Sequence, residues 1–225
     1  MKKIICLDLD DTLIQTQEAY FSINNNILKV ITEETSFPVN DISNYQLNLD
    51  INMIETMGFS PERYPLSWVK TYHNFSLEKK SYVEKQIYSE AKQIFSKKIE
   101  LHNDAHKFLN NLKENDVEVW IVTHGDYNVQ NKRMDDIHLD WVTKKIISDH
   151  KNYELYKSIK KNYSAELYMI GNSIPHDIEP ARQAGFKAIH INRNFSWKYD
   201  QYSKLSDFPS CKTLGDIWDL LKMEV

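Results

Sequence analysis

The stretch IICLDLDDT, residues 4–12, passes from four apolar residues into a cluster of carboxylates. A short apolar run that begins with two β-branched residues is typical of a strand buried on both faces. Asp8, Asp10 and Asp11 then fall at or just beyond its carboxyl end. In open α/β sheets, ligands bind at the carboxyl ends of the parallel strands. The stretch therefore predicts a buried first strand that delivers acids to a site.

Further apolar segments follow the first along the chain, at residues 117–122, 146–148, 167–170 and 188–191. Apolar or small residues at helical spacing separate these segments, at residues 126–137, 152–161 and 175–184. Strands that alternate with helices are typical of a parallel sheet with helices on both faces. The sequence therefore predicts an α/β fold, a doubly wound parallel sheet with a Rossmann-like core.

Residues 15–96 interrupt this alternation, because they contain no convincing strand pattern. Apolar stripes at helical spacing fall instead in four segments, at residues 20–31, 42–57, 66–75 and 82–95. A strand and the next helix are usually joined by about 2–6 residues, so an insert of this length predicts a subdomain. We expect a core of residues 1–14 and 97–225, with an all-helical cap of residues 15–96.

The composition of the 225-residue chain argues against several partners. Its 28 Lys and Arg residues are outnumbered by 32 Asp and Glu residues. The net charge of −4 therefore predicts no basic surface for nucleic acid. No stretch approaches the roughly 18 to 20 apolar residues that cross a membrane, so no membrane association is expected. Two cysteines, Cys6 and Cys211, make no disulfide framework, which favours a cytoplasmic location.

Polar residues follow each of the next three predicted strands. They are Thr123-His124-Gly125, Asp149-His150-Lys151, and Gly171-Asn172-Ser173 with Asp177 beyond. In a parallel sheet these strand ends converge on one crevice. Carboxylates and an ammonium held so close together are costly unless a bound cation and anion balance them. The five glycines form no Gly-rich loop, so any phosphate would be held in another way.

These four motifs, taken in order, resemble those of the haloacid dehalogenase superfamily of Mg²⁺-dependent phosphatases. The family's D-x-D-x-T motif is matched by Asp8, Asp10 and Thr12. Its second-motif hydroxyl, third-motif lysine and acidic fourth motif are matched by Thr123, Lys151 and GNSIPHD, which contains Asp177. The helical insert stands where the family has its helical cap. The resemblance covers the whole predicted core.

The resemblance implies separate roles for the two acids that follow the first strand. Asp8 would be the nucleophile that forms an aspartyl phosphate. Asp10 would protonate the leaving alcohol and later activate water. Thr12 is expected to hydrogen-bond the loop backbone rather than the substrate.

The resemblance also assigns ligands for phosphate and metal. Thr123 and the amides of His124 and Gly125 would hold the phosphoryl oxygens, with Lys151 as a point charge on the same group. Mg²⁺ would take the Asp8 carboxylate, the Asp10 backbone carbonyl, and an oxygen from Asn172 or Asp177.

Several positions allow more than one interpretation. Asn172 stands where many family members have an acid, which would lower the affinity for metal. Lys157 competes with Lys151 as the third-motif lysine, although Lys151 lies nearer the strand end. His124 and His176 could touch substrate or be structural. A rim of Arg193, Trp197 and Lys198 could contact a phosphorylated substrate, or form an exposed charged loop.

The expected activity is hydrolysis of a small phosphorylated metabolite, because a cap of this size would exclude macromolecules. A haloacid dehalogenase of the same fold is an alternative, but it needs neither a metal nor an acid two residues after the nucleophile. A phosphomutase and a non-catalytic sensor or interaction protein are further alternatives. The sensor would be expected to lack Asp8, Asp10 or Lys151, and this chain retains all three.

Overall fold

The structure is a computed structural model, and it describes residues 3–115, 117–193 and 208–223. The chain divides into two compact units, which we call the core unit and the helical unit. The core unit comprises Met1–Thr16 and Ile99–Val225, and the helical unit comprises Gln17–Lys98. The sequence predicts these boundaries slightly earlier, after residues 14 and 96.

The core unit is built on a parallel sheet with the strand order β3-β2-β1-β4-β5-β6. The strands are β1 (Lys3–Leu7), β2 (Glu118–His124), β3 (Lys144–Ser148), β4 (Glu166–Gly171), β5 (Lys187–Ile191) and β6 (Ser210–Cys211). β1 lies at the centre, where Cys6 is in register with Trp120 of β2 and Met169 of β4. The doubly wound parallel α/β fold is confirmed. The sequence did not predict β6, since two residues are too few to show a pattern.

Apolar side chains bury β1 on both faces, as its unbroken apolar run predicts. Ile4, Cys6, Trp120 and Met169 belong to one buried cluster of the core unit. Burial raises the pKa of the Cys6 thiol to about 12, so this cysteine is a protonated core residue. The rigid central strand therefore fixes the position of the acids that follow it.

The helical unit contains α1 (Thr16–Thr35, whose first residue still belongs to the core unit), α2 (Val39–Met57), α3 (Arg63–Phe75) and α4 (Ser81–Lys92), followed by a 3₁₀ turn (Gln93–Phe95). Trp68 and Tyr72 of α3 are fully buried, which accounts for the apolar stripe in the sequence. The buried Arg63 and Asp50 form an ion pair with a nitrogen–oxygen distance of 3.3 Å. Within the described part of the chain, no helix is both long and apolar enough to cross a membrane.

The remaining helices belong to the core unit. They are α5 (Ala105–Glu114), α6 (Tyr127–Asp136), α7 (Tyr153–Asn162), α8 (Glu179–Gln183) and α9 (Leu214–Met223). The segment predicted as a helix over residues 175–184 begins instead with a π-helical turn, Ile174–Ile178, which leads into the short α8. α5 and α9 were not among the predicted elements.

Candidate active site

Three charged residues from three strand ends meet in the core unit. The Lys151 ammonium lies 2.7 Å from Asp8 Oδ1 and also contacts Asp177 Oδ1. Asp8 is 6% exposed, Lys151 3% and Asp177 0%. Asp8 is held in place by its backbone N–H, which donates to the Ile170 carbonyl of β4 at 2.9 Å. The predicted convergence of the first, third and fourth motifs is thus present in the structure.

The charges of this buried group are coupled. Burial raises the pKa of Asp8, while Lys151 acts in the opposite direction. Burial alone would lower the pKa of Lys151, but Asp177 and Asp8 raise it well above its usual range. Because Lys151 faces two acids, the shared proton resides on its nitrogen. The positive charge of Lys151 therefore favours the carboxylate form of Asp8, the form in which it can act as a nucleophile.

The Thr12 side chain joins the first motif to the fourth. Its hydroxyl lies 2.8 Å from Asp8 Oδ2 and 3.0 Å from Asn172 Oδ1. It also accepts a hydrogen bond from the backbone N–H of Asn172 at 3.1 Å. Thr12 was expected to bond its own loop backbone, but its partners are these two motif residues. Oxygen atoms of Asp8 and Asn172 are thereby brought to the same hydroxyl.

Asp177 lies behind the strand end, against Gly171. A Cβ atom at residue 171 would fall 2.2 Å from Asp177 Oδ2, so only glycine fits there. The same carboxylate oxygen accepts a hydrogen bond from the backbone N–H of Ser173 at 3.0 Å. Asp177 thus orients Lys151 from the protein interior, and Asn172 is the more exposed of the two fourth-motif candidates.

The second-motif residues have partners within the core unit. Thr123 is fully buried and accepts from Gln130 Nε2 at 3.0 Å. Gly125 has a φ of 136°, a conformation that favours glycine. The Gly125 N–H donates to the Ser148 carbonyl at 3.3 Å. Of the two amides expected to bind phosphate, that of Gly125 is therefore already bonded to the end of β3.

Asp10 has surroundings that sequence reasoning missed. Asp10 Oδ1 accepts from Thr16 Oγ1 at 2.9 Å and from Arg133 Nη1 at 2.8 Å. Asp10 Oδ2 accepts from Gln130 Nε2 at 2.7 Å. Arg133 and Gln130 are buried on α6, three residues apart and hence on one face of the helix. Two long polar side chains three residues apart, in a helix that directly follows the second motif, could have indicated that both face the site.

The ambiguity between the two lysines is resolved by their positions. Lys157 lies on the exposed face of α7, 3.8 Å from Glu154 Oε2, and its ammonium sits over the Tyr153 ring. Lys151 is the lysine that reaches Asp8.

Comparisons with known proteins bear on what this group of residues does. A search of curated protein sequences found no match. The family model for haloacid dehalogenase-like hydrolases matches residues 2–185. The chain belongs to this family. The resemblance seen in the four motifs is thus confirmed, and the protein is a haloacid dehalogenase-like hydrolase.

Solved structures share the fold of this hydrolase at low sequence identity. A haloacid dehalogenase-like family hydrolase from Xanthomonas campestris is 16% identical, with a TM-score of 0.80, over 99% of this chain and 91% of that chain. The HAD-hydrolase YfnB from Bacillus subtilis, solved bound to magnesium, is 18% identical, with a TM-score of 0.69, over 98% and 99%. A HAD phosphatase from Thermococcus onnurineus is 16% identical, with a TM-score of 0.60, over 98% of both chains. The matching structures also include 2-haloacid dehalogenases from Pseudomonas syringae and Xanthobacter autotrophicus, so the fold does not distinguish the two activities.

The oxygen donors of this hydrolase suit a hard cation. Among the described residues, no group of three or more His, Cys, Asp or Glu side chains could hold a metal ion. Mg²⁺ does not need such a group, because it commonly takes one or two carboxylates and keeps several waters. Asp8 and Asn172 offer oxygens that share the Thr12 hydroxyl, and the Asp10 carbonyl follows in the same loop. Asp8 and Asp177 also carry two negative charges against the one ammonium of Lys151. The residues present therefore fit Mg²⁺.

Two histidines lie near Lys151. The rings of His124 and His176 are 5.5 Å apart, and His124 Nε2 faces the Asp149 carbonyl. Burial, together with the nearby charge of Lys151, lowers the pKa of both rings to about 4. Both rings are neutral near pH 7, so neither adds positive charge for a phosphate.

Arg193 supports the first-motif loop from the other side. Its guanidinium donates to the Thr12 carbonyl at 2.8 Å and pairs with Asp104 at 2.9 Å. The sequence left Arg193 either on a substrate rim or in an exposed charged loop, and the structure instead gives its side chain these partners within the core unit. Trp197 and Lys198, the other residues of that rim, lie outside the described residues.

Proposed function

We propose that the protein is a Mg²⁺-dependent phosphomonoesterase that acts on a small phosphorylated metabolite. The observation that carries this proposal is a pair of acids, two residues apart, in different surroundings. Asp8 is buried against Lys151, whereas the side chain of Asp10 is 26% exposed and is held by hydrogen-bond donors from α6. Paired carboxylates with separate environments suit separate catalytic roles.

In this proposal, an Asp8 oxygen attacks phosphorus, and the bond from phosphorus to the leaving oxygen breaks. Asp10 gives its proton to that oxygen, so the product leaves as an alcohol. Asp10 then takes a proton from water as the water oxygen attacks phosphorus, which releases inorganic phosphate and regenerates Asp8. A halide leaves without a proton, so an acid at position 10 is more useful for an oxygen leaving group.

The remaining residues would hold the phosphoryl group. Lys151 provides a positive charge beside Asp8, and Thr123 provides a hydroxyl at the end of β2. Mg²⁺, held by Asp8, the Asp10 carbonyl and Asn172, would neutralise charge on the phosphoryl oxygens. Positioning and charge neutralisation provide most of the catalysis in phosphoryl transfer. The free cysteines Cys6 and Cys211 are compatible with a reducing cytoplasm.

One observation favours a 2-haloacid dehalogenase as a second candidate. The fourth strand end carries the neutral Asn172, and Asp177 is turned toward Lys151 rather than toward solvent. A metal-free reaction would need no further carboxylate there. The role of Asp10 distinguishes the candidates, since a dehalogenase has no leaving oxygen to protonate.

The test measures both reactions on the same purified protein. Phosphate release from para-nitrophenyl phosphate and from a panel of phosphorylated metabolites is compared with chloride release from 2-chloropropionate, with Mg²⁺ or after chelation. Phosphate release that requires Mg²⁺ and is lost in Asp8→Asn supports the proposal. Chloride release that survives chelation, without phosphatase activity, would replace it with the dehalogenase. Transfer of phosphate to a second position of the substrate would indicate a mutase, and no turnover a sensor.

A further inference from the structure

Arg133 and Gln130 form a clamp around the Asp10 carboxylate. Arg133 Nη1 donates to Asp10 Oδ1 at 2.8 Å, and Gln130 Nε2 donates to Asp10 Oδ2 at 2.7 Å. Arg133 is 7% exposed and Gln130 1%. Each carboxylate oxygen therefore has a donor from the same helix, which fixes the plane of the carboxyl group as well as its position.

Gln130 also ties this clamp to the second motif. Its Nε2 atom lies 3.0 Å from Thr123 Oγ1 and 2.5 Å from the His124 carbonyl. One amide group therefore bridges Asp10 and the hydroxyl expected to hold the phosphoryl group. A Cβ at Gly125 would lie only 3.1 Å from the same nitrogen, so the loop leaves just enough room for this side chain.

Helix α6 is itself fixed where it begins. The Asp126 side chain caps the helix by accepting from the backbone N–H groups of Asn128 and Val129 at 3.0 and 3.1 Å. Met134, one residue after Arg133, is fully buried. The first turn and the inner face of α6 are thus anchored, and the clamp is carried by a rigid element rather than by a flexible loop.

We propose that Arg133 and Gln130 are positioning residues that hold Asp10 at the correct distance from the leaving oxygen and from the attacking water. The inference rests on the proposed phosphomonoesterase function. Neither residue needs to touch the substrate. Misplacing a reacting group by about 1 Å can cost on the order of 10²-fold in rate, so loss of the clamp should slow the steps that use Asp10.

The test uses Arg133→Met and Gln130→Met, with Arg133→Lys as the conservative variant. Lys132→Met is the matched control, because Lys132 lies on the same helix and pairs with Asp136 at the surface. We expect Arg133→Met to lower kcat for an alkyl phosphate by about 10- to 100-fold with little change in KM. The first burst of para-nitrophenol from para-nitrophenyl phosphate should be largely retained, since this leaving group hardly needs a proton. Arg133→Lys should recover part of the alkyl phosphatase rate, and Lys132→Met should match the wild type.

A double-mutant cycle with Asp10→Asn distinguishes positioning from a structural role. If Arg133 acts through Asp10, Arg133→Met causes no further loss of kcat in the Asp10→Asn background. An equal loss in both backgrounds, or a first burst of para-nitrophenol that slows as much as alkyl phosphate turnover, would overturn the inference while the phosphatase proposal stands. A wild-type protein that hydrolyses neither substrate would overturn the proposed function, and this inference with it.

Discussion

The two acids that follow β1 are supported by different parts of the fold. Asp8 is buried, and its partners Lys151 and Thr12 come from loops that follow strands. Asp10 is partly exposed, and Arg133 and Gln130, two of its partners, come from the face of a helix. The first environment suits an ion that must stay charged and fixed, and the second suits a group that exchanges protons with substrate and water.

The difference shows how one loop can supply two functions. The two acids are only two residues apart on one loop, so their separate roles must come from the residues that surround each of them. Asp11, which follows Asp10, has a φ of 57°, and its N–H donates to the Ile14 carbonyl at 2.9 Å. This tight turn follows the end of β1, and on either side of Leu9 Asp8 faces Lys151 while Asp10 faces α6.

The largest expected effect tests Asp8 together with the residues around it, which we call the Asp8 side. Asp8→Asn removes the attacking oxygen, so turnover of para-nitrophenyl phosphate should fall to background, by on the order of 10⁴-fold or more. Rapid quenching of the wild type with labelled substrate should trap phosphate on Asp8. A burst of product from Asp8→Asn, or phosphate trapped on another residue, would contradict the assignment.

The next largest effect tests Asp10 together with Arg133 and Gln130, which we call the Asp10 side. Asp10→Asn leaves the nucleophile intact but removes the proton carrier, which is worth about 10²- to 10⁴-fold per step. With para-nitrophenyl phosphate we expect one burst of product followed by a stall, whereas an alkyl phosphate should give no burst. Stopped-flow kinetics measures both. If Asp10→Asn and Asp8→Asn behaved alike, the two acids would not have separate roles.

A third prediction concerns stability rather than turnover. Lys151→Met would leave Asp8 and Asp177 buried without their shared cation, which should lower the free energy of unfolding by about 3–5 kcal/mol. Urea denaturation monitored by circular dichroism measures the change. Lys157→Met, on the exposed face of α7, is the control and should change stability little. Equal effects of the two substitutions would show that the Asp8 side is not held by its buried charge.

The Asp8 side was largely predictable from the sequence, and the Asp10 side was not. Lys151 and Asn172 each follow a strand of the parallel sheet within a few residues, and parallel strands bring their ends together whatever the details of packing. Arg133 is 123 residues from Asp10 along the chain. Whether it reaches Asp10 depends on the rotation of α6 about its axis, which packing determines. The hydrogen bond from Arg193, two residues after β5, to the Thr12 carbonyl was not predicted either, because no motif of the sequence pairs these two residues.

A smaller effect should appear on the Asp8 side as pH falls. Since the pKa values of His124 and His176 are lowered to about 4 from 6.5, the unfolded chain binds protons between these values and the folded chain does not. The contribution of the two neutral rings to the free energy of unfolding is therefore complete above pH 6.5 and is lost as pH falls toward 4. For each ring, the free energy of unfolding should change by less than about 1.4 kcal/mol per pH unit, because both rings are partly exposed. His176→Asn should flatten the acid side of the curve of unfolding free energy against pH. The exposed His106 provides the control, and His106→Asn with the same flattening would contradict the prediction.

The smallest effect is expected from a substitution at Asn172, which tests the proposed Mg²⁺ site. Asn172→Asp adds a carboxylate beside the oxygens proposed to hold Mg²⁺, so the apparent Kd for Mg²⁺ should fall several-fold. The same charge would repel a phosphate dianion and raise KM, so kcat/KM should change little. The single hydroxyl hydrogen of Thr12 is within reach of both Asp8 Oδ2 and Asn172 Oδ1. A carboxylate at residue 172 would therefore compete with Asp8 for this hydrogen bond. Titration of activity with Mg²⁺ at several substrate concentrations separates the two effects. An unchanged Mg²⁺ dependence would place residue 172 outside the metal site and would leave Asp8 as its main side-chain ligand.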